Sequence, residues 1–352
     1  MTDFGDRIMR WYRTSRRDLP WRHTRDPYTI WVSEVILQQT KVDQGLGYFL
    51  RFTGRFPDVQ SLASASGQEV LAVWKGLGYY SRARNMHAAA GMVVSEYQGI
   101  FPETYDKLIK LKGIGKYTAA AVASISGGEP VPVVDGNVIR VFSRLFGIEE
   151  VAGSGRSFKR VAEKSLQYIH REDPGTYNQA VMEFGALFCK PGRPDCPNCI
   201  FSDECFAFLN GKVEQLPVKR PEIPRKTRWF NYIFAVTAQG DVVMQQRRDR
   251  DIWENLWELP LVESGHLLDP GELEASGLWK QLDPYNACKA VLLSDAKHIL
   301  SHRIIYARFY KISGILNMHL QSGSNYKLIP VDQLKYLPVS RLMDRFFQDQ
   351  VY

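Results

Sequence analysis

Leu111-Lys112-Gly113-Ile114-Gly115-Lys116 separates two helical patterns, residues 105–111 and 117–124. Its two glycines permit the backbone angles of a very tight helix–helix turn. Such a turn aims amide groups outward, and with the first turn of the following helix they form an anion site. A DNA phosphate can dock there without any base being read. Lys116 would add positive charge. A plain helix-packing corner explains the same hexapeptide, so its neighbours must decide.

Downstream, four of the five cysteines fall within residues 189–205: Cys189, Cys196, Cys199 and Cys205, a C-x6-C-x2-C-x5-C array. Clustered thiolates at fixed spacing bind metal. These intervals do not match paired zinc-finger ligands, whereas four thiolates on one tight loop suit a 4Fe-4S cube. Zinc and unliganded structural thiols stay open as alternatives. Disulfides belong to oxidising compartments. Met1-Thr2-Asp3-Phe4-Gly5 lacks a basic run followed by an apolar one, and no stretch of about 18 apolar residues occurs. A soluble, cytoplasmic chain with no membrane partner is therefore expected. Cys288, alone in the second half, reads as a small buried hydrophobe.

With 352 residues and 45% apolar content, two or three domains with cores of their own are expected. A formal charge of +7 favours an anionic partner, nucleic acid being the commonest for a basic soluble chain. Pro217, Pro221 and Pro224 punctuate a basic stretch at 212–228, where neither a helix nor a central strand should survive. Before it, helical patterns at 26–40, 105–111, 117–124 and 136–146 predict an all-α domain over 1–211. After it, alternating runs at 231–237, 242–246 and 304–312, with helical patterns at 270–277 and 339–347, predict an α+β domain over 229–352.

In this order, the hairpin, Val134-Asp135-Gly136-Asn137-Val138 and the cysteine array resemble the helix-hairpin-helix, iron-sulfur DNA glycosylases of the endonuclease III superfamily across roughly residues 1–210. Leu19-Pro20-Trp21-Arg22, the run from Trp31 to Thr40, and Gly76-Leu77-Gly78-Tyr79-Tyr80-Ser81-Arg82 are similar to its adenine DNA glycosylases, the MutY branch. The resemblance implies one 4Fe-4S cluster on the four cysteines and removal of adenine mispaired with 8-oxoguanine or guanine in double-stranded DNA. It also implies base excision repair by a monomer at a bacterial-type nucleoid. Lys112 stands where the family usually has a proline, which should alter stiffness more than phosphate binding.

Two carboxylates carry the expected chemistry. Asp26 caps and Pro27 opens a helix that sets Ile30, Trp31, Glu34, Leu37 and Gln38 on one face. On that apolar stripe burial raises the Glu34 pKa, poising it to protonate a leaving group near neutral pH; a satisfied core glutamate is the plainer reading. The resemblance makes it the acid that protonates adenine at N7. Asp135 precedes a helix whose N-terminal amides should keep it ionised, although a pure N-cap would look the same. A fixed anion there stabilises an oxocarbenium-like sugar. Asn137 and Tyr117 would position the sugar and its attacking water. Bifunctional relatives carry lysine at the place of Tyr117, where an amine forms a Schiff base. A phenol cannot, so a monofunctional glycosylase is expected.

Attack on a base bond requires the nucleotide to leave the stack. Tyr79, with Gln39, Thr40 and Leu77, matches residues that relatives press into the duplex, while Gly113, Gly115 and Lys116 would hold its backbone. Trp21, Arg22 and Glu183 resemble adenine-pocket residues. The second half resembles the Nudix-like domain of the same branch, entered at Trp253-Glu254-Asn255-Leu256-Trp257-Glu258-Leu259-Pro260. The metal-binding box that should follow is missing its Arg-Glu and paired glutamates, so the domain should bind rather than hydrolyse. Ser301 and His302 match the loop that relatives use on 8-oxoguanine, with Leu300 where phenylalanine is common. A glycosylase/lyase for oxidised pyrimidines, a non-enzymatic DNA-binding module and a Nudix hydrolase are the competing functions.

Overall fold

The computed structural model describes residues 3–221, 224–249, 251–283, 285, 287–313 and 325–351; residues 222 and 223 of the expected linker lie outside this set. The helical part runs α1 (Phe4–Ser15), α2 (Pro27–Leu37), α3 (Val42–Arg55), α4 (Val59–Ser64), α5 (Gly67–Val73), α6 (Ser81–Glu96), α7 (Tyr105–Leu108), α8 (Lys116–Ile125), α9 (Gly136–Phe146), α10 (Gly155–Leu166), α11 (Pro174–Leu187) and α12 (Phe206–Leu209). Strands follow: β1 (Lys226–Phe234), β2 (Asp241–Gln246), β3 (Trp257–Glu258), β4 (Leu261–Ser264), β5 (Lys289–Ile299), β6 (Arg303–Ser313) and β7 (Tyr326–Pro330). Helices α13 (Pro270–Glu274) and α14 (Gly277–Leu282) precede β5, and α15 (Arg341–Gln350) closes the chain. An all-α part followed by an α+β part is the expected class. No helix among the described residues is long and apolar enough to cross a membrane.

The chain divides into two compact units, Met1–Ala65 with Asn85–Pro221, and Ser66–Arg84 with Glu222–Tyr352. In the first, Phe4, Ile8 and Tyr12 of α1 pack on Phe142 and Leu145 of α9 and on Tyr177 and Phe184 of α11. Helix α9 starts and stops where the sequence predicts: Asp135 caps it, and Gly147 ends it with φ 65°, a left-handed angle that glycine takes freely. Helix α2 differs from expectation in two ways. It is buried on every face from Ile30 to Ile36 rather than along one stripe, and it stops at Leu37 because Gln39 turns left-handed at φ 56°.

The second unit holds a four-stranded sheet, order β4-β1-β6-β5, and a three-stranded one, β3-β2-β7. Among the described strands, β1 and β6 pair in parallel and the other ladders are antiparallel. Residues alternate between faces along β1. Phe230, Tyr232 and Phe234 face a core with Met343 and Phe346 of α15, while Ile233 joins a second core with Trp279 and Leu273.

Both ends of the expected 212–228 linker belong to ordered structure. Leu216 is buried in the first unit's core, where Val218 accepts from the Ala152 amide at 2.8 Å. At the other end β1 begins at Lys226 and is an interior strand, although the proline spacing argued against one. The expected 1–211 domain is also interrupted, because residues 66–84 group with the second unit through long-range bonds. Lys75 pairs with Asp344 at 2.7 Å and Arg84 with Glu254 at 2.6 Å. The Trp257 indole donates to Gln68 at 3.3 Å.

Candidate active site

A cavity of about 540 Å3 in the first unit is lined by Glu34 and Ser33 of α2, Tyr117 of α8, Asp135 and Asn137 at the start of α9, and Glu183 of α11. Trp21, Arg22, Thr40 and Met182 also line its wall. Glu34, Tyr117, Asp135, Asn137, Trp21, Arg22 and Glu183 therefore share one space, although they come from segments far apart in the chain.

Glu34 is 8% exposed. Burial pushes its carboxyl up to about 7; the Tyr117 hydroxyl, which donates to Oε2, pulls down, and the charge of Asp135 pushes up. An acid that retains its proton near neutrality results, in the direction expected. Tyr117 also reaches Met182 Sδ at 3.7 Å. The phenol thus bonds the carboxyl directly.

Asp135 accepts from the Val138 amide at 2.7 Å and from Asn137 Nδ2 at 2.8 Å. These bonds favour its charged form, yet burial outweighs them and raises its pKa. The cap that is expected to keep it ionised thus works against a desolvation that the cavity imposes. Asn137 Oδ1 accepts from Arg140 Nη2 at 2.8 Å, and Arg140 also bonds the Gly185 and Cys189 carbonyls at 2.7 and 2.8 Å. The one sequence signal for Arg140 is its place three residues after Asn137, on the same helix face.

Glu183, 2% exposed, is saturated. Arg17 donates Nη2 at 2.6 Å and its backbone amide at 3.0 Å, and Arg22 donates Nη1 and Nη2 at 2.8 and 2.7 Å. Burial pushes the carboxyl up, but the bonds from Arg22 and Arg17 win and hold it down at about 2. Glu183 and Arg22 thus build a charged wall for the pocket rather than offering a free acceptor to a base. Arg17 had no sequence signal, its partner lying 166 residues away. Trp21 is buried edge-on against Phe49, centroids 5.0 Å apart. Thr40 lines the cavity and donates to the Gln38 carbonyl at 3.3 Å; Gln39 is exposed.

In the hairpin only Gly113 takes a left-handed angle, φ 76°. A Cβ there would meet Asn85 Cβ at 2.5 Å. Gly115 is extended, φ −91° and ψ 177°, with open space beside it; it supplies access rather than a turn angle. It caps α8 without a side-chain bond. Lys116 is exposed, its Nζ 5.7 Å from the Phe158 ring centroid.

Within the second unit, Tyr79 is 46% exposed at φ 48°. Leu77, expected at the duplex, is 7% exposed and packs within the same unit. Ser301 and His302 are exposed in the turn between β5 and β6, Ser301 Oγ lying 3.1 Å from His302 Nδ1. Leu300 packs against the core behind them.

Cys189, Cys196, Cys199 and Cys205 line one small cavity with Arg144 and Phe184. Burial pushes the Cys199 thiol up to about 12, and neighbouring cysteines add to it. Arg144 Nη1 lies 3.5 Å from Cys189 Sγ, and the Phe201 amide 3.4 Å from Cys199 Sγ. Among the described residues no three His, Cys, Asp or Glu side chains converge on a single ion point. Thiols that surround one space, with amide and guanidinium donors to their sulfurs, are a donor set that a 4Fe-4S cluster fits. Nearby Arg193 pairs with Glu214, so its charge is shared.

A family model described as "HhH-GPD superfamily base excision DNA repair protein" matches residues 32–166, and a NUDIX domain model matches 231–349. The adenine DNA glycosylase of Buchnera aphidicola subsp. Acyrthosiphon pisum (strain APS) is 34% identical over 262 residues, 73% of this chain and 73% of that protein. The chain belongs to the adenine DNA glycosylases. The Mus musculus adenine DNA glycosylase is 33% identical over 89% of this chain and 71% of its own. A solved thermostable thymine-DNA glycosylase superposes with TM-score 0.55 at 29% identity, covering 59% of this chain and 95% of that one. As an adenine DNA glycosylase, the chain carries Glu34, Tyr117, Asp135 and Asn137 inside the first match, and Ser301 and His302 inside the second.

Proposed function

We propose that this enzyme hydrolyses the N-glycosidic bond of adenine paired with 8-oxoguanine, or less readily with guanine, in duplex DNA. The observation that carries the chemistry is the pairing, in one cavity, of Glu34 with its pKa near 7 and the capped carboxylate Asp135. Glu34 transfers its proton to adenine N7 as the C1′–N9 bond breaks and its electron pair leaves with the base. Asp135 stands by the oxocarbenium-like sugar, and Asn137, held by Arg140, fixes that carboxylate. Water then adds to C1′ and gives a proton back to Glu34, restoring the acid. Tyr117 has no amine, so no Schiff base forms and strand cleavage by β-elimination is absent.

The α7–α8 hairpin takes a phosphate on the uncapped amides of α8 with Lys116 beside it, and Tyr79, with Gln39, fills the gap left by the flipped adenine. Ser301 and His302 contact the 8-oxoguanine, and the Nudix-like unit binds without hydrolysing. Cys189, Cys196, Cys199 and Cys205 would hold one 4Fe-4S cluster, whose contribution when bound is folding free energy in the loop beside Arg140 and Arg144. The enzyme acts as a monomer on the nucleoid.

Single-turnover excision on duplexes with adenine opposite 8-oxoguanine, guanine, thymine or cytosine tests this reading, using the full chain and a Ser301→Ala/His302→Ala variant. The expected result is a rate order with 8-oxoguanine first that collapses toward the guanine rate in the variant. Equal rates on all four duplexes would sink it.

A further inference from the structure

The loop between α5 and α6 is held in an unusual backbone conformation. Gly76, Gly78 and Tyr79 have φ 89°, 80° and 48°, and Tyr79 lacks the freedom that makes such angles easy for glycine. A non-glycine residue stays left-handed only where its surroundings over-determine it. Here they do. The Trp74 indole and the Arg82 guanidinium both donate to the Gly78 carbonyl, at 3.0 and 3.2 Å. The Arg82 amide bonds the Tyr79 carbonyl at 2.9 Å, and the guanidinium lies 5.2 and 5.5 Å from the Trp74 and Tyr79 ring centroids.

The next residue, Tyr80, is buried, and its hydroxyl bonds on both sides. It accepts from the Gly76 amide at 3.1 Å, inside the loop, and donates to the Val339 carbonyl at 2.9 Å. Val339 lies between Pro338, whose carbonyl takes the Trp257 amide at 2.9 Å, and the Ser340 cap of α15. A second tie runs beside it, from Lys75 Nζ to Asp344 at 2.7 Å and to the Lys335 carbonyl at 3.2 Å.

We infer that the Tyr80 hydroxyl is a positioning residue for the wedge. By joining the left-handed loop to the Pro338–Ser340 segment of the Nudix-like unit, it presents Tyr79 to the duplex in a single conformation. The inference rests on the reading of Tyr79 as the wedge. It gives the appended domain a task besides base recognition: it is the frame on which the wedge is mounted.

The test is a double-mutant cycle in the full-length enzyme: the parent, Tyr80→Phe, Tyr79→Ala, and both together. Single-turnover excision from an A:8-oxoguanine duplex is measured, with fluorescence of a 2-aminopurine stacked beside the 8-oxoguanine as the readout of insertion. Tyr80→Phe keeps the buried ring and leaves the Gly76 N–H and Val339 C=O unpaired, so a roughly tenfold loss of rate and of insertion is expected. In the Tyr79→Ala background the same change should cost nothing further, since there is no wedge left to position. A Tyr80→Phe loss that persists in full on top of Tyr79→Ala would mark a merely structural hydroxyl and overturn the inference, as would parental behaviour of Tyr80→Phe. Tyr79→Ala behaving as the parent would instead remove the wedge reading, and this inference with it. Should Tyr80→Phe fail to fold, Lys75→Met breaks the parallel tie, and the same non-additivity with Tyr79→Ala decides.

Discussion

The Tyr117 hydroxyl donates to Oε2 of Glu34, so the acid of the site is held by a bond that favours its carboxylate form. Burial works against that bond and prevails, leaving the Glu34 pKa at about 7. The opposition gives a directional prediction. In the proposed mechanism excision requires protonated Glu34, so its rate should fall as pH rises through about 7. Tyr117→Phe removes the influence that lowers the pKa, and the alkaline limb should move to higher pH even as the maximum rate drops. Single-turnover rates between pH 5 and 9, roughly the range in which such a group titrates, provide the check. A limb that stays put or moves down refutes the assignment.

The same group links stability to pH. The folded pKa of Glu34 lies above its ordinary value of 4.5, so its contribution is fully present below 4.5 and is lost as pH rises through about 7. Glu34→Gln is uncharged throughout. It should match the parent's stability near pH 5 and exceed it near pH 8 by about 2–3 kcal/mol at most, while excision is abolished. Denaturant melts at the two pH values test this, and a variant less stable at the higher one would contradict it.

Glu183 neutralises two guanidiniums at once. Glu183→Gln strands Arg22, 10% exposed as a side chain, without its counter-charge, and should destabilise the fold by about 3 kcal/mol. Thermal unfolding reads the loss. Arg22→Lys should not be silent, because an ammonium cannot reproduce the two parallel bonds.

The hairpin glycines should separate. Gly113→Ala forces a Cβ onto Asn85 and a left-handed angle on alanine; it should lower stability by about 1–3 kcal/mol. Gly115→Ala meets open space at an ordinary angle, so it should leave stability near the parent's and weaken DNA binding alone. Lys116→Ala should weaken binding alike on all sequences and reduce the salt slope by about 1. Melting curves beside salt-dependent binding isotherms distinguish the three.

Cys199→Ser should lower iron content and visible absorbance together with melting temperature, because ligation contributes to folding. Arg140→Gln should leave iron in place and slow excision, since its bonds to Asn137 and the Cys189 carbonyl join the loop to the catalytic carboxylate. Iron analysis with single-turnover rates checks both, and iron loss in Arg140→Gln would assign that side chain to the loop instead.

The legible parts of this molecule are those that a few neighbouring residues control. Helix α9 lies where the sequence predicts because Asp135 and Gly147 stand at its ends, and the Asp26-Pro27 start sets Glu34 on a buried face. The end of α2 departs from expectation because Gln39, not a glycine, takes the left-handed angle. Arg17 is not legible because nothing near it in the chain announces Glu183.

By itself the sequence determined the hairpin, the caps of α2 and α9 and the cysteine spacing, all carried by contacts within a turn or two of backbone. Tertiary structure alone decided that burial lifts Asp135 against its own cap, that Glu183 is saturated by two arginines, and that residues 66–84 belong with the second unit. Desolvation and ion pairing depend on what the rest of the chain brings within a few ångströms, and that is set by packing between segments remote in the chain.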